Sequence, residues 1–163
     1  MAKYSFFDLL FFYFLLGFLS MACQRPARAD RLVYHSIEKY LHNEGNQNTL
    51  NRGKKVLFVI SANGCFSCLQ MIKNFAQTTE SPDIKFIYSI EHPRLVDRET
   101  VELSKKKPAM VKIDYENTPF REGVVLDSPV VYFLTDGLMT DSVALTPRIF
   151  DATILKINQY LSR

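Results

Sequence analysis

Apolar residues are spread unevenly along this 163-residue chain. Leu9 to Leu19 is an almost unbroken apolar run of Phe and Leu, and Leu19-Ser20-Met21-Ala22-Cys23 follows it. After a polar stretch, Ala29–His42 has helical spacing, with Val33, Ile37, Tyr40 and Leu41 on one side and Gly45 as a stop. Glu44 to Asn51 is rich in Asn and Gln and predicts a loop. Val56–Ile60 is a continuous apolar run, the pattern of a central strand buried on both faces. Ser61–Gly64 is small and polar, a loop. Cys65 then opens a helix whose stripe is Leu69, Ile72, Phe75 and Ala76, with Ser81-Pro82 ending the segment.

The alternation continues to the C-terminus. Ile84–Ile90 predicts a second strand, Leu95–Lys106 a weak helix stopped by Pro108, and Ala109–Asp114 a short strand. Pro129–Leu134 predicts a strand, Asp136-Gly137 a tight turn, and Leu138–Leu145 the returning hairpin partner. Thr146-Pro147 has the form of an N-cap and first helical residue, and Phe150, Ile154, Ile157 and Leu161 give the last helix its apolar face. The order α-β-α-β-(α-β)-β-β-α predicts an α/β domain. Its early strands are parallel and its late hairpin antiparallel.

Composition changes this picture little. At 47% hydrophobic and 23% charged the chain is ordinary for a globular protein. Its net charge of +3 is too small to argue for nucleic acid, and no basic run is interleaved with aromatics. Lys105-Lys106-Lys107 reads as a solvated helix end.

The leading apolar run spans only 11 residues, which suits a signal h-region better than a membrane span. Lys3 supplies a positive start, and small residues precede Cys23. This resembles the cleavage box of bacterial lipoproteins, although Ser20 stands where that family prefers Leu. The resemblance implies a signal peptide over 1–22, a lipidated Cys23, a tether over 23–30 and a domain over 31–163. The protein would then be exported and held at the membrane of the periplasm or cell envelope by its lipid anchor. A second candidate cleavage site, Ala27-Arg28-Ala29, would make it a plain secreted protein. Of the three cysteines, lipidation would consume one and leave Cys65 and Cys68 as a pair.

Cys65-Phe66-Ser67-Cys68 at the start of a helix is a chemical arrangement. Free N–H groups and the helix dipole stabilise a thiolate on Cys65, and Cys68 lies one turn on, on the same face. Cys68 can resolve a mixed disulfide formed at Cys65. A zinc site needs two more ligands, but no second cysteine pair exists and His35, His42 and His92 are scattered. A c-type haem needs His after the second cysteine, where Leu69 stands. The reading therefore assigns no metal and no cofactor beyond a redox-active Cys65–Cys68 disulfide. A structural disulfide stays open, since an exported compartment is oxidising.

The strand, loop, C-x-x-C helix, Ser128-Pro129, hairpin and terminal helix together resemble thioredoxin over Asn51 to Arg163, apart from extra sequence between Glu91 and Ala109. The stretch from Val111 through Phe120 to Pro129 resembles the TlpA-type branch of membrane-attached thiol–disulfide oxidoreductases. The resemblance implies a three-layer α/β/α sandwich with a mixed sheet, an N-terminal helix and a β-α insertion. It also implies that Pro129 is a cis-proline facing the cysteines, with the backbone of Ser128 pairing to substrate. A trans proline opening an edge strand is the plain alternative. Two features depart from thioredoxin. Gly64 replaces the tryptophan before the first cysteine, and Val59 replaces the buried acid. Glu91, after the second strand, is the candidate substitute acid, against the reading of a solvated loop residue. His92 reads as a surface loop histidine. A peroxiredoxin would carry Thr where Ala62 stands.

The activity implied is thiol–disulfide exchange with exported proteins. Its partners would be those substrates, an upstream electron donor or acceptor, and the membrane. The rival is a lipoprotein binding module with a structural disulfide.

Overall fold

The computed structural model describes residues 37, 39, 40, 50, 52–62 and 64–162. The leader, the tether and Cys23 lie outside the described residues, as do His35, His42 and most of the first expected helix. Residues 33–163 form one compact unit.

Five strands make one mixed sheet: β1 (Lys54–Ser61), β2 (Ile84–Ser89), β3 (Val111–Asp114), β4 (Val130–Thr135) and β5 (Leu138–Ala144). Their order is β3-β2-β1-β4-β5. β1 pairs parallel with β2, and β2 with β3, while β4 runs antiparallel to both β1 and β5. The helices after β1 are α1 (Phe66–Thr78), α2 (Arg98–Lys106), α3 (Thr118–Arg121) and α4 (Phe150–Leu161). This is the α/β architecture, with early parallel strands and a late antiparallel hairpin, that the order of elements predicted.

Alternation along the strands produces two cores, because successive side chains point to opposite faces. Val56, Phe58, Ile60, Phe86 and Tyr88 face Ile72 and Ala76 of α1, Leu103 of α2 and Ile157 of α4. Phe58 stacks on Phe86 with ring centroids 4.8 Å apart, and Phe75 of α1 closes over both. On the other face, Leu57, Val59 and Ile87 pack with Ile37, Tyr40, Leu50, Val124 and Val125. Ile37 and Tyr40 are helical, so helix covers this face too. β1 is the central strand, and residues 56–60 within it are all apolar because both faces are buried there.

Several boundaries differ from the expectation. Leu50, expected in a loop, is helical and buried. The helix expected from Leu95 is two pieces, a 3-10 turn over Pro93–Leu95 and α2 from Arg98. Asp97 divides them by capping α2, its carboxylate accepting from the N–H of Thr100 at 3.0 Å. The side chain of Thr146 makes no cap; Pro147–Ile149 forms a 3-10 turn, and α4 starts at Phe150. Asp136 and Gly137 both take positive φ, 51° and 80°, which is the two-residue hairpin turn expected of Asp-Gly. The register of β4 with β5 slips between Phe133 and Leu134. β5 is an edge strand, mostly exposed and carrying Thr140, Asp141 and Ser142.

Candidate active site

The site lies where β1 ends and α1 begins, at the carboxyl end of the parallel strands, where open α/β sheets place their ligands. Cys65 is the N-cap of α1 and is exposed. No side chain caps this end, and the first turn carries no acidic residue. The N–H groups of the first turn are therefore free to act on sulfur. The backbone N–H of Cys68 is the main influence holding the Cys65 thiol below its ordinary pKa; the Cys68 thiol and the N–H of Ser67 add to it.

Cys68 is the opposite case. It is 1% exposed. Burial, its hydrogen bond to Cys65 and the charge there push its thiol up to about 11. Both cysteines are free thiols. One is thus poised as a nucleophile, and the other is kept protonated behind it.

Two backbone links tie Cys68 to the start of β4. Its Sγ donates to the carbonyl of Leu145 at 3.8 Å, and the N–H of Leu145 donates to the carbonyl of Pro129 at 2.6 Å. Pro129 is buried and Ser128 half-buried, so the structure does bring this segment to the cysteines. The Ser128–Pro129 bond is trans, however; no peptide bond among the described residues is cis. This corrects the expected cis-proline. A trans X-Pro bond is the more stable form. Here it leads straight into β4, which is an inner strand and not the edge strand of the plain alternative. The close approach at the site comes through Gly64. A Cβ there would lie 3.1 Å from the carbonyl oxygen of Ser61, 3.2 Å from that of Asp127 and 3.5 Å from Cδ of Pro129. Any side chain at this position would require the Ser61 and Asp127 carbonyls to give by a few tenths of an ångström.

Glu91 follows β2 and is exposed. His92 is exposed too, and its Nδ1 accepts from the N–H of Arg94, closing the 3-10 turn. Val59, in the position of thioredoxin's buried acid, is part of the apolar core. Among the described residues no group of His, Cys, Asp or Glu is arranged to hold a metal ion, and no helix is long and apolar enough to cross a membrane.

Sequence reasoning missed how α1 is anchored. Lys107, read as part of a solvated helix end, folds back on the C-terminus of α1. Its ammonium donates to the carbonyls of Ala76 (3.2 Å), Gln77 (2.8 Å) and Thr79 (2.7 Å), and to Glu80 (3.0 Å). These are carbonyls that a helix leaves unpaired, and the negative end of its dipole favours a cation. Further up α1, Lys73 reaches Asp97 at 3.3 Å and Glu99 at 2.7 Å. Burial would lower the Lys73 pKa, but the hydrogen bonds and charges of Glu99 and Asp97 outweigh it and the net shift is upward. The segment between β2 and β3 is thereby clamped to the cysteine-bearing helix at two points. These contacts span 24 to 31 residues of sequence, so no local pattern reveals them.

No known family model and no curated protein matches the sequence. Among solved structures the chain is similar to one described as a thiol:disulfide interchange protein DsbE from Chlorobium tepidum. Sequence identity is 16% and the TM-score 0.42, over 70% of this chain and 83% of that one. The fold assignment rests on the strand order and pairing given above.

Proposed function

We propose that the protein is a thiol–disulfide oxidoreductase acting on exported proteins through Cys65 and Cys68. The supporting observation is the asymmetry of the pair: an exposed thiol with a lowered pKa at a bare helix N-terminus, and a buried thiol with a raised pKa one turn behind. A bridge with only a structural role needs no such difference.

In the reducing direction the Cys65 thiolate attacks one sulfur of a substrate disulfide. The S–S bond breaks, and its electron pair leaves on the other substrate sulfur, which is then protonated. Forming the mixed disulfide removes the Cys65 negative charge, one of the causes of the high Cys68 pKa. Cys68 then loses its proton and attacks Cys65 Sγ, which releases the second substrate thiolate. The Cys65–Cys68 disulfide remains, two electrons having passed to the substrate. An upstream dithiol restores the reduced form, and the reverse sequence oxidises substrates. We assign Glu91 as the acceptor of the Cys68 proton and the Ser128–Pro129 segment as the backbone rail for substrate. We also place the protein outside the cytoplasm, anchored through a lipidated Cys23.

The test is a trap. Cys68→Ser is expressed in full-length form in the host, quenched with acid and run on non-reducing gels beside the double Ser variant. Discrete mixed disulfides absent from the double variant are expected. If none form, and the wild-type disulfide is slow to reduce, the chain is a disulfide-stapled binding module. Labelling with fatty acid, lost in Cys23→Ser, tests the anchor separately.

A further inference from the structure

A cavity of about 490 Å³ lies beside β3, the strand at one edge of the sheet. That volume is in the range of small-molecule sites. Leu50, Ile87, Met110 and Ile113 give it apolar walls, and Tyr115, 50% exposed, adds a ring. Cys65, Cys68 and the Ser128–Pro129 segment take no part in it.

The charged lining is of one sign. Among the described residues the cavity is lined by Lys85 and Lys112 and by no carboxylate. Lys85, half-buried in β2, is the informative one. Its ammonium donates to the carbonyl of Ala109, itself a lining residue. An ammonium has three protons to donate, so one carbonyl does not exhaust it. Asp83 acts on Lys85 from outside the lining, but Lys55 holds Asp83 in an ion pair. Burial and the Lys55 charge prevail over Asp83 and keep the Lys85 pKa below its ordinary value. An anion in the cavity supplies the opposite charge that Lys85 lacks. A cation there meets ammonium groups and no carboxylate in the lining, and a neutral apolar molecule leaves the ammonium further desolvated. No arginine and no helix N-terminus lines the cavity, and those are the donors that suit phosphate.

We propose that this cavity binds an amphiphilic monoanion, a carboxylate on an aliphatic chain, with the chain against Ile87, Met110 and Ile113 and the carboxylate on the Lys85 ammonium. The site is separate from the thiol chemistry, and binding there makes and breaks no covalent bond.

The test uses the full-length protein, with decanoate as probe and decylamine and acetate as controls, each below any concentration at which it forms micelles. Isoleucine methyl signals are followed by NMR. Ile87 and Ile113 line the cavity, whereas Ile154 lines a separate groove between α1 and α4 and reports non-specific uptake. Decanoate is expected to shift Ile87 and Ile113 saturably and to leave Ile154 unmoved. Acetate, which has no chain to bury, should bind at least tenfold more weakly, and so should decylamine. Lys85→Met should weaken decanoate about tenfold or more, the worth of a charged hydrogen bond. Lys85→Glu should reverse the order and favour decylamine. Ser104→Phe, which adds bulk at the α2 wall without touching the charge, should abolish the shifts at Ile87 and Ile113 and keeps the test open if the lysine variants do not fold. Absence of saturable shifts at Ile87 and Ile113, equal binding of decanoate and decylamine, a preference for decanoate that survives Lys85→Glu, or shifts that survive Ser104→Phe overturns the proposal.

Discussion

The two ends of α1 are finished in opposite ways. At the C-terminus the unpaired carbonyls are gathered by the Lys107 ammonium, delivered from the far end of α2. At the N-terminus there is no capping side chain and no acidic residue, only the two sulfurs. The same leftover groups exist at both ends of any helix. One end is sealed for stability and the other is left bare, so that its N–H groups act on Cys65. The difference teaches that the same leftover groups can be closed by a charge brought from another element at one end and left to two sulfurs at the other.

The largest expected effect comes from removing the sulfur that the bare end serves. Cys65→Ser should abolish rapid iodoacetamide alkylation at pH 6 and all exchange with a peptide disulfide, while Cys68→Ser keeps the first and loses turnover. Fast alkylation persisting in Cys65→Ser would mean the buried thiol is the nucleophile.

Breaking the sealed end should act on stability alone. Lys107→Met removes the charge and its hydrogen bonds but keeps much of the stem, and should cost about 1–3 kcal/mol. Urea unfolding measures this, and the Cys65 alkylation rate should hardly change. Equal stability would show that water replaces the ammonium without loss.

Sealing the bare end is a milder change. Ser67→Glu puts a carboxylate in the first turn, where it competes for the N–H groups and repels the thiolate. The thiolate fraction at pH 6 should fall about two- to fivefold, the equivalent of 0.3–1 kcal/mol. An unchanged alkylation rate would mean that the dipole and first-turn donors matter little.

The smallest effect is in pH. The folded pKa of Cys65 lies below its unfolded value of 9.0, so the unfolded chain holds more protons between the two and stability of the dithiol form rises with pH there. Cys68 shifts the other way. Between 9.0 and about 11 the folded state holds the extra proton, so stability falls as pH rises through that window. Unfolding of the reduced protein should therefore be hardest near pH 9, and Cys65→Ser should lose the rising limb and shrink the falling one, because the Cys65 sulfur helps to raise the Cys68 pKa.

Much of this was legible in the sequence. Apolar runs and turn residues gave all five strands, because β1 is buried on both faces and Asp136-Gly137 admits the tight turn. The spacing of Cys65 and Cys68 placed both at the start of a helix, where the structure has them. The short helix α3 went unpredicted, since Asp114 organises it from outside, accepting from the N–H groups of Glu116 and Thr118 at 2.9 Å each. Lys107 was misread for a related reason: its charge, next to two other lysines, looks like solvated surface until α1 is brought beside it. The cis-proline expectation came from family likeness and not from the residues. What in the residues did bear on that approach was Gly64, where a Cβ would press on the carbonyl oxygens of Ser61 and Asp127.

The slip between β4 and β5 has a consequence for how copies of this chain meet. A regular outer strand offers its free backbone groups as a template for another molecule. Here the slip after Phe133 disturbs that regularity, and Asp141, tied to Lys156 at 2.5 Å, places charge on the same stretch. The outer rim of β5 is thus a poor seed for fibrils.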